Sequence, residues 1–416
     1  MKIYDYESNK YDLFIRTTDA LLPDVDKESI LLFDIATTSF EAANGCVFLI
    51  GAAYLSDGKL MIKQLFSENV NEEVLMINEF ISFADRFKTV LSYKGDSFDF
   101  PYLSGRLSIL CKDHFFAECS AVNFHEIFQK LSTLRSKSFD LFNIIKPLKT
   151  PLGFVSTKLD YLQKRLGQNV FNSISGENIS VFYSRFLAEK KLKNLQNIST
   201  REENLGFISD YFIKRADDEL AHLIIRENDH FLEDILANNC DNLEAILFLC
   251  RLSIPLNILN EKIAVSVHVE KKEELPDIIT FIYDTEKFLS KKLCINLQAY
   301  QKNIKLFYAD YKNYFYFPLE DMAVHRSVAE FTSTSSRKKA TKETAFRRVS
   351  GLFFKVPESF YASEKNKKDR YKENYESKDS YLPVNGPELN NIEFLKDLAY
   401  HVFLEYARDN LENVLI

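Results

Sequence analysis

Two aspartates occupy places where a chain seldom puts a charge. Asp34 ends the apolar run of Ile30, Leu31, Leu32 and Phe33, and Asp99 follows the apolar stretch Thr89 to Tyr93 after a Lys94-Gly95-Asp96 turn. A carboxylate in a buried strand loses its hydration, and even a neutral polar group pays about 2 to 7 kcal/mol there unless a partner or a metal compensates. Two such carboxylates converging at strand ends would form a hard-oxygen pocket suited to Mg2+ or Mn2+. Each also has a plainer reading. Asp34 could accept hydrogen bonds from a following turn, and Asp99 could cap a helix that begins near Pro101.

The elements that must position these side chains are readable from pattern. Ile30 to Thr38, Cys46 to Tyr54 and Leu60 to Phe66 are apolar, β-branched and aromatic runs, with Ser56-Asp57-Gly58 as a hairpin turn, which predicts three antiparallel strands. Between residues 71 and 87, Val74, Ile77, Ile81 and Ala84 recur at helical spacing, predicting a helix against the sheet. Thr89 to Tyr93 is the next strand, and a helix follows to about Cys111. Gly95 allows the sharp turn that would aim Asp99 at the strand bearing Asp34.

Phe-Asp-Ile with Thr37-Thr38, then Leu49-Ile50-Gly51, the hairpin, and the Gly95 to Pro101 passage resemble the ribonuclease-H-like domain of the YprB type, within the two-metal exonucleases named for their Asp, Glu, Asp and Asp ligands. Phe139-Asp140-Leu141, Lys146-Pro147-Leu148 and Ser156 to Gly167 resemble the family's middle segment, and Lys94 stands where relatives carry asparagine. The resemblance spans roughly residues 28 to 250. It implies an α/β fold, a ribonuclease-H-like mixed sheet flanked by helices, and 3′-to-5′ hydrolysis of DNA or RNA single strands. In such sites two divalent ions, Mg2+ or Mn2+, sit about 3.5 to 4 Å apart.

The resemblance further implies a last acidic motif on a helix closing the domain, over Asp217 to Leu236. Two registers fit: one places His230 and Asp234 in the motif, and the other starts from Asn228 and puts Phe231 at the aspartate position. In the first, Asp34, Asp99 and Asp234 are the metal-ligating carboxylates and His230 orients the attacking water. In the second, a ligand is lost. The family glutamate two residues after the first aspartate is here Ala36, whose methyl group cannot ligate a metal. Natural loss, deliberate replacement and substitution by another carboxylate all account for it. Weak activity at most, with nucleic-acid binding retained, is the expectation. A non-catalytic binding or scaffold protein with a vestigial site is the alternative.

The 416 residues exceed one hydrophobic core, and 46% hydrophobic with 27% charged composition indicates a globular chain. We expect a lead-in over 1–27, the ribonuclease-H-like domain over 28–250 and a smaller α+β domain over 251–416. No apolar run reaches the roughly 18 residues of a membrane span, the start Met1 to Glu7 is too polar for a signal peptide, and the six cysteines are scattered. Cytoplasmic residence with reduced thiols is expected. The net charge of −7 disfavours bulk attraction to nucleic acid, yet the segment 337–348 has six cations against one acid. Arg337, Lys338, Lys339, Lys342, Arg347 and Arg348, with Lys94, are therefore the candidate phosphate contacts, against the plainer reading of a solvated surface.

Overall fold

The computed structural model describes residues 1–115, 123–168, 178–198, 231–260, 263–270, 277–289, 291–362 and 369–415. The chain divides into two compact units, one of residues 1–146 and 156–251, the other of residues 147–155 and 252–416. Among the described residues no helix is long and apolar enough to cross a membrane.

The first unit is built on a six-stranded mixed sheet. Strands β1 (Lys2–Ser8), β2 (Ile30–Thr37), β3 (Val47–Ser56), β4 (Lys59–Phe66), β5 (Thr89–Ser92) and β6 (Ser138–Asp140) lie in the order β1-β4-β3-β2-β5-β6. Strands β2, β3, β4 and β1 pair antiparallel, whereas β5 and β6 join β2 in parallel. Strand β3 is buried over nine of its ten residues, as its near-continuous apolar run requires when both faces are covered. One face packs against α2 (Glu73–Ala84), α3 (Asp99–Phe115) and α4 (Phe124–Ser136), with Phe33 against Phe80 and Phe100. The other carries Phe48 and Phe66 beneath Tyr183 of α7 (Ile179–Ile198), which follows α5 (Leu141–Leu148) and α6 (Leu159–Arg165), and the Phe48 and Tyr183 rings stack at 4.2 Å.

The lead-in is more ordered than its sequence suggests. It supplies edge strand β1 and helix α1 (Tyr11–Leu21). Most β1 side chains are exposed, so no hydrophobic alternation marks the strand.

The second unit is rich in sheet. Strands β7 (Val265–Glu270), β8 (Ile278–Tyr283) and the long β9 (Leu293–Phe307) form consecutive antiparallel pairs. After β9 the chain turns at Tyr311–Asn313 and enters β10 (Tyr314–Phe317). Strand β10 is the centre of a small sheet with β11 (Met322–His325) and β12 (Lys338–Lys339), while β13 (Phe346–Val356) pairs with β9. The terminal helix Ile392–Asp409 buries Leu395, Leu398, Ala399, Val402 and Phe403 along one face, at helical spacing.

Candidate active site

Parallel pairing between β2 and β5 stops at Leu32 and Leu91, so the backbone of β2 beyond that point has no strand on this side. Asp99, the first residue of α3, fills the gap: its Oδ1 accepts the Ile35 N–H at 3.2 Å. Asp34 stands beside it on β2, and the two carboxylates meet at the mouth of the sheet, as their positions in sequence predict. The turn leading to Asp99 is held by a third buried acid, Asp140, which accepts the N–H groups of Lys94 at 2.8 Å, Phe142 at 2.9 Å and Asp96 at 3.2 Å. Within that turn Lys94 adopts a left-handed φ of 65°, a conformation asparagine and glycine tolerate better.

Proximity shows in the acidities. Burial pushes the Asp34 carboxyl up to about 6, against hydrogen bonds from the Asn242 and Asn239 amides that favour the ionised form. Burial also holds Asp99 well above the usual carboxylate range, the Asp34 charge adds to this, and the Ile35 N–H opposes it. Both groups therefore resist ionisation.

The partner from the closing helix is not the one the sequence predicts. Helix α8 (Phe231–Cys250) passes over β2 and β3 with Asn239 and Asn242 toward the aspartate: Asn239 Nδ2 donates to Asp34 Oδ2 at 3.1 Å and Asn242 Nδ2 to the same oxygen at 3.2 Å. Asn239 is oriented from behind, because its Oδ1 accepts Gln64 Nε2 at 2.9 Å. Gly51 makes the approach possible, since a Cβ there would lie 1.9 Å from Asn239 Oδ1. Asp234, expected to complete the acid set, lies eight residues before Asn242, about 12 Å along the helix axis. The hydrogen bonds to Asp34 come from the later amides. His230 lies outside the described residues. Asp241, between the two asparagines in the chain, is buried, and its carbonyl accepts Gln163 and Gln168 side chains.

Ala36 is on the same strand face as Asp34 and packs against the apolar cluster of Phe48 and Tyr183. The site thus joins two carboxylates, two amides and a methyl group, and among the described residues no group of three or more His, Cys, Asp or Glu side chains is placed to hold a metal ion. This donor set does not fit a pair of divalent ions. Sequence reading missed Asn239 and Asn242 because amides are not expected ligands. The available signals were three asparagines within five residues of one helix, and a glycine inside a strand buried over nine of its ten residues.

The loop 38–46 at the site is braced by a buried ion pair. Glu73 Oε1 accepts Val47 N–H at 2.7 Å and Arg106 Nε at 2.8 Å, Arg106 Nη2 donates to Glu73 Oε2 at 2.7 Å, and Arg106 Nη1 to the Ala42 carbonyl at 2.9 Å.

The candidate phosphate contacts do not form one stripe. Lys94 lies in the first unit with its ammonium 5.2 Å from the Phe142 ring centre. In the second unit Arg337 and Lys339 flank β10, Lys338 is exposed opposite Tyr316, Lys342 lies 6.0 Å from the Tyr311 ring, Arg347 is exposed on β13, and Arg348 is paired with Asp321.

Residues 31–200 match the family model of the RNase_H superfamily, in accord with the ribonuclease-H-like sheet. Among solved structures, the family B DNA polymerase from the hyperthermophilic archaeon Pyrobaculum calidifontis is similar at 14% identity and a TM-score of 0.28, over 68% of this chain and 35% of that one. The chain thus spans about a third of that polymerase. No curated protein matches the sequence.

Proposed function

We propose that the protein acts on nucleic acid through a ribonuclease-H-like unit of the YprB type whose hydrolytic centre has been reduced to two carboxylates. It holds DNA or RNA single strands without appreciably shortening them from the 3′ end. The observation carrying this reading is the pair of amides, Asn239 and Asn242, that α8 presents to Asp34. A two-ion centre needs anionic oxygens on both sides of the scissile phosphate. Here Ala36 stands where the resemblance places a glutamate, and Asn242 stands where a third carboxylate would face Asp34. A carboxylate whose oxygen already receives two amide N–H groups offers little to Mg2+ or Mn2+.

The test uses the purified full chain, an end-labelled single strand and Mn2+. The expected result is little or no shortening by the natural chain, no thermal shift on adding Mn2+, and a gain of both in the Ala36→Glu/Asn242→Asp double variant, because an ion that binds only the folded state raises its melting temperature. Degradation of the strand by the natural chain at a rate that Ala36→Glu does not increase would overturn the reading. A second reading, an attenuated nuclease, is favoured by the persistence of half-buried Asp34 beside buried Asp99, whose acidities act on one another. It predicts slow shortening that Asp99→Asn abolishes.

A further inference from the structure

In the second unit, Phe315 of β10 pairs with Lys339 of β12. Side chains alternate across a strand, so these two share a face, and Arg337, two residues before Lys339, reaches the same face with its guanidinium 4.7 Å from the Phe315 ring centre. With Lys312 and Arg326 they line a groove of about 550 Å³. Its single acid, Glu330, is paired with Arg326 at 3.2 Å. Lys312, Arg337 and Lys339 have no carboxylate partner among the described residues, and Arg337 Nη1 is shielded from solvent without any hydrogen-bond acceptor.

A shielded N–H with nothing to donate to is uncommon in a folded chain. Here it belongs to a guanidinium held over an aromatic ring by a cation–π contact. Arginine in that state is matched by the paired oxygens of a phosphate, and two unpaired lysines beside it suit the neighbouring phosphates of one chain.

We infer that this groove is where the protein holds single-stranded nucleic acid, Arg337 taking one backbone phosphate and Lys339 and Lys312 those beside it. The inference rests on the proposed function, and it adds that the strand is gripped in the second unit by a site independent of the aspartates.

The test is fluorescence anisotropy of a labelled oligonucleotide of about 12 nucleotides with the full chain, across a salt series. Lys339→Ala and Arg337→Lys should each weaken binding by about tenfold, and Lys339→Ala, which removes a cation, should also lower the slope of log affinity against log salt by about one, while Lys130→Ala, at a surface cation of the first unit paired with Glu126, leaves binding unchanged. Arg337→Lys keeps the charge and the packing over Phe315, so its loss reads the guanidinium fork, and a thermal melt of each variant confirms folding. Unchanged affinity in both groove variants, with the natural chain binding well, overturns this inference and leaves the proposed function standing. A natural chain that binds no oligonucleotide overturns both. If only inorganic phosphate or a mononucleotide, run as competitors, bind in a Lys339-dependent way, the groove takes small phosphate esters and the inference fails.

Discussion

Asp34 receives two side-chain amides, Asp99 a backbone N–H, and Asp140 three more. Arg337, by contrast, keeps an N–H with no acceptor among the described residues, beside two lysines that have no carboxylate partner there. These three aspartates of the first unit are answered from within the unit, and the second unit's groove leaves Arg337, Lys312 and Lys339 without a carboxylate among the described residues. Unusual burial of charge is therefore a weaker sign of a working ligand site than charge left incomplete. A buried group fully satisfied by its own chain is accounted for by the fold alone.

Substitutions can break that contrast or sharpen it. The largest effect is expected at Arg106, where alanine would strand the buried Glu73 carboxylate. A loss of about 3 to 5 kcal/mol in denaturant unfolding is predicted, and a loss under 1 kcal/mol would show that the loop 38–46 does not depend on the pair.

Next is Asp99→Asn, which keeps an acceptor for the Ile35 N–H. Asp99 has a folded pKa above its unfolded one, so its favourable contribution is present below the unfolded value and lost as pH rises through the folded value. Removing the charge should raise stability by about 1 to 2 kcal/mol near pH 8 and by almost nothing near pH 4. Asp34, pushed up to about 6, has the same sign, so the natural chain should gain stability as pH falls from neutral toward 5. Equal effects of Asp99→Asn at both pH values would remove the like-charge argument.

Lys94→Asn relieves a left-handed backbone and should stabilise by about 0.5 to 1 kcal/mol. Lys339→Ala should change stability by less than about 0.5 kcal/mol while altering strand affinity, which separates the groove's role from folding.

The central strands, the two helices around the first aspartate pair, and the meeting of Asp34 with Asp99 were legible because buried runs and strand-end acids leave strong patterns. Edge strand β1 was not, since a half-exposed strand at a sheet margin has little apolar periodicity. Nor was the closing helix: its contribution to the site comes from Asn239 and Asn242, about 200 residues from Asp34 in the chain, and nothing local marks an amide as the answer to a distant carboxylate. The basic segment was legible as composition only, because strand pairing around β10 separates its residues.

The chain enters the second unit at Pro147, returns to the first at Ser156 and leaves again only after Arg251. A fragment cut at Arg251 would retain Leu152 and Phe154, both buried in the whole protein, with the body they belong to removed. During synthesis, likewise, the first unit cannot close over Asp34 until α8 has emerged from the ribosome. Dissecting this protein therefore calls for replacing residues 147–155 with a short linker as well as choosing an end point.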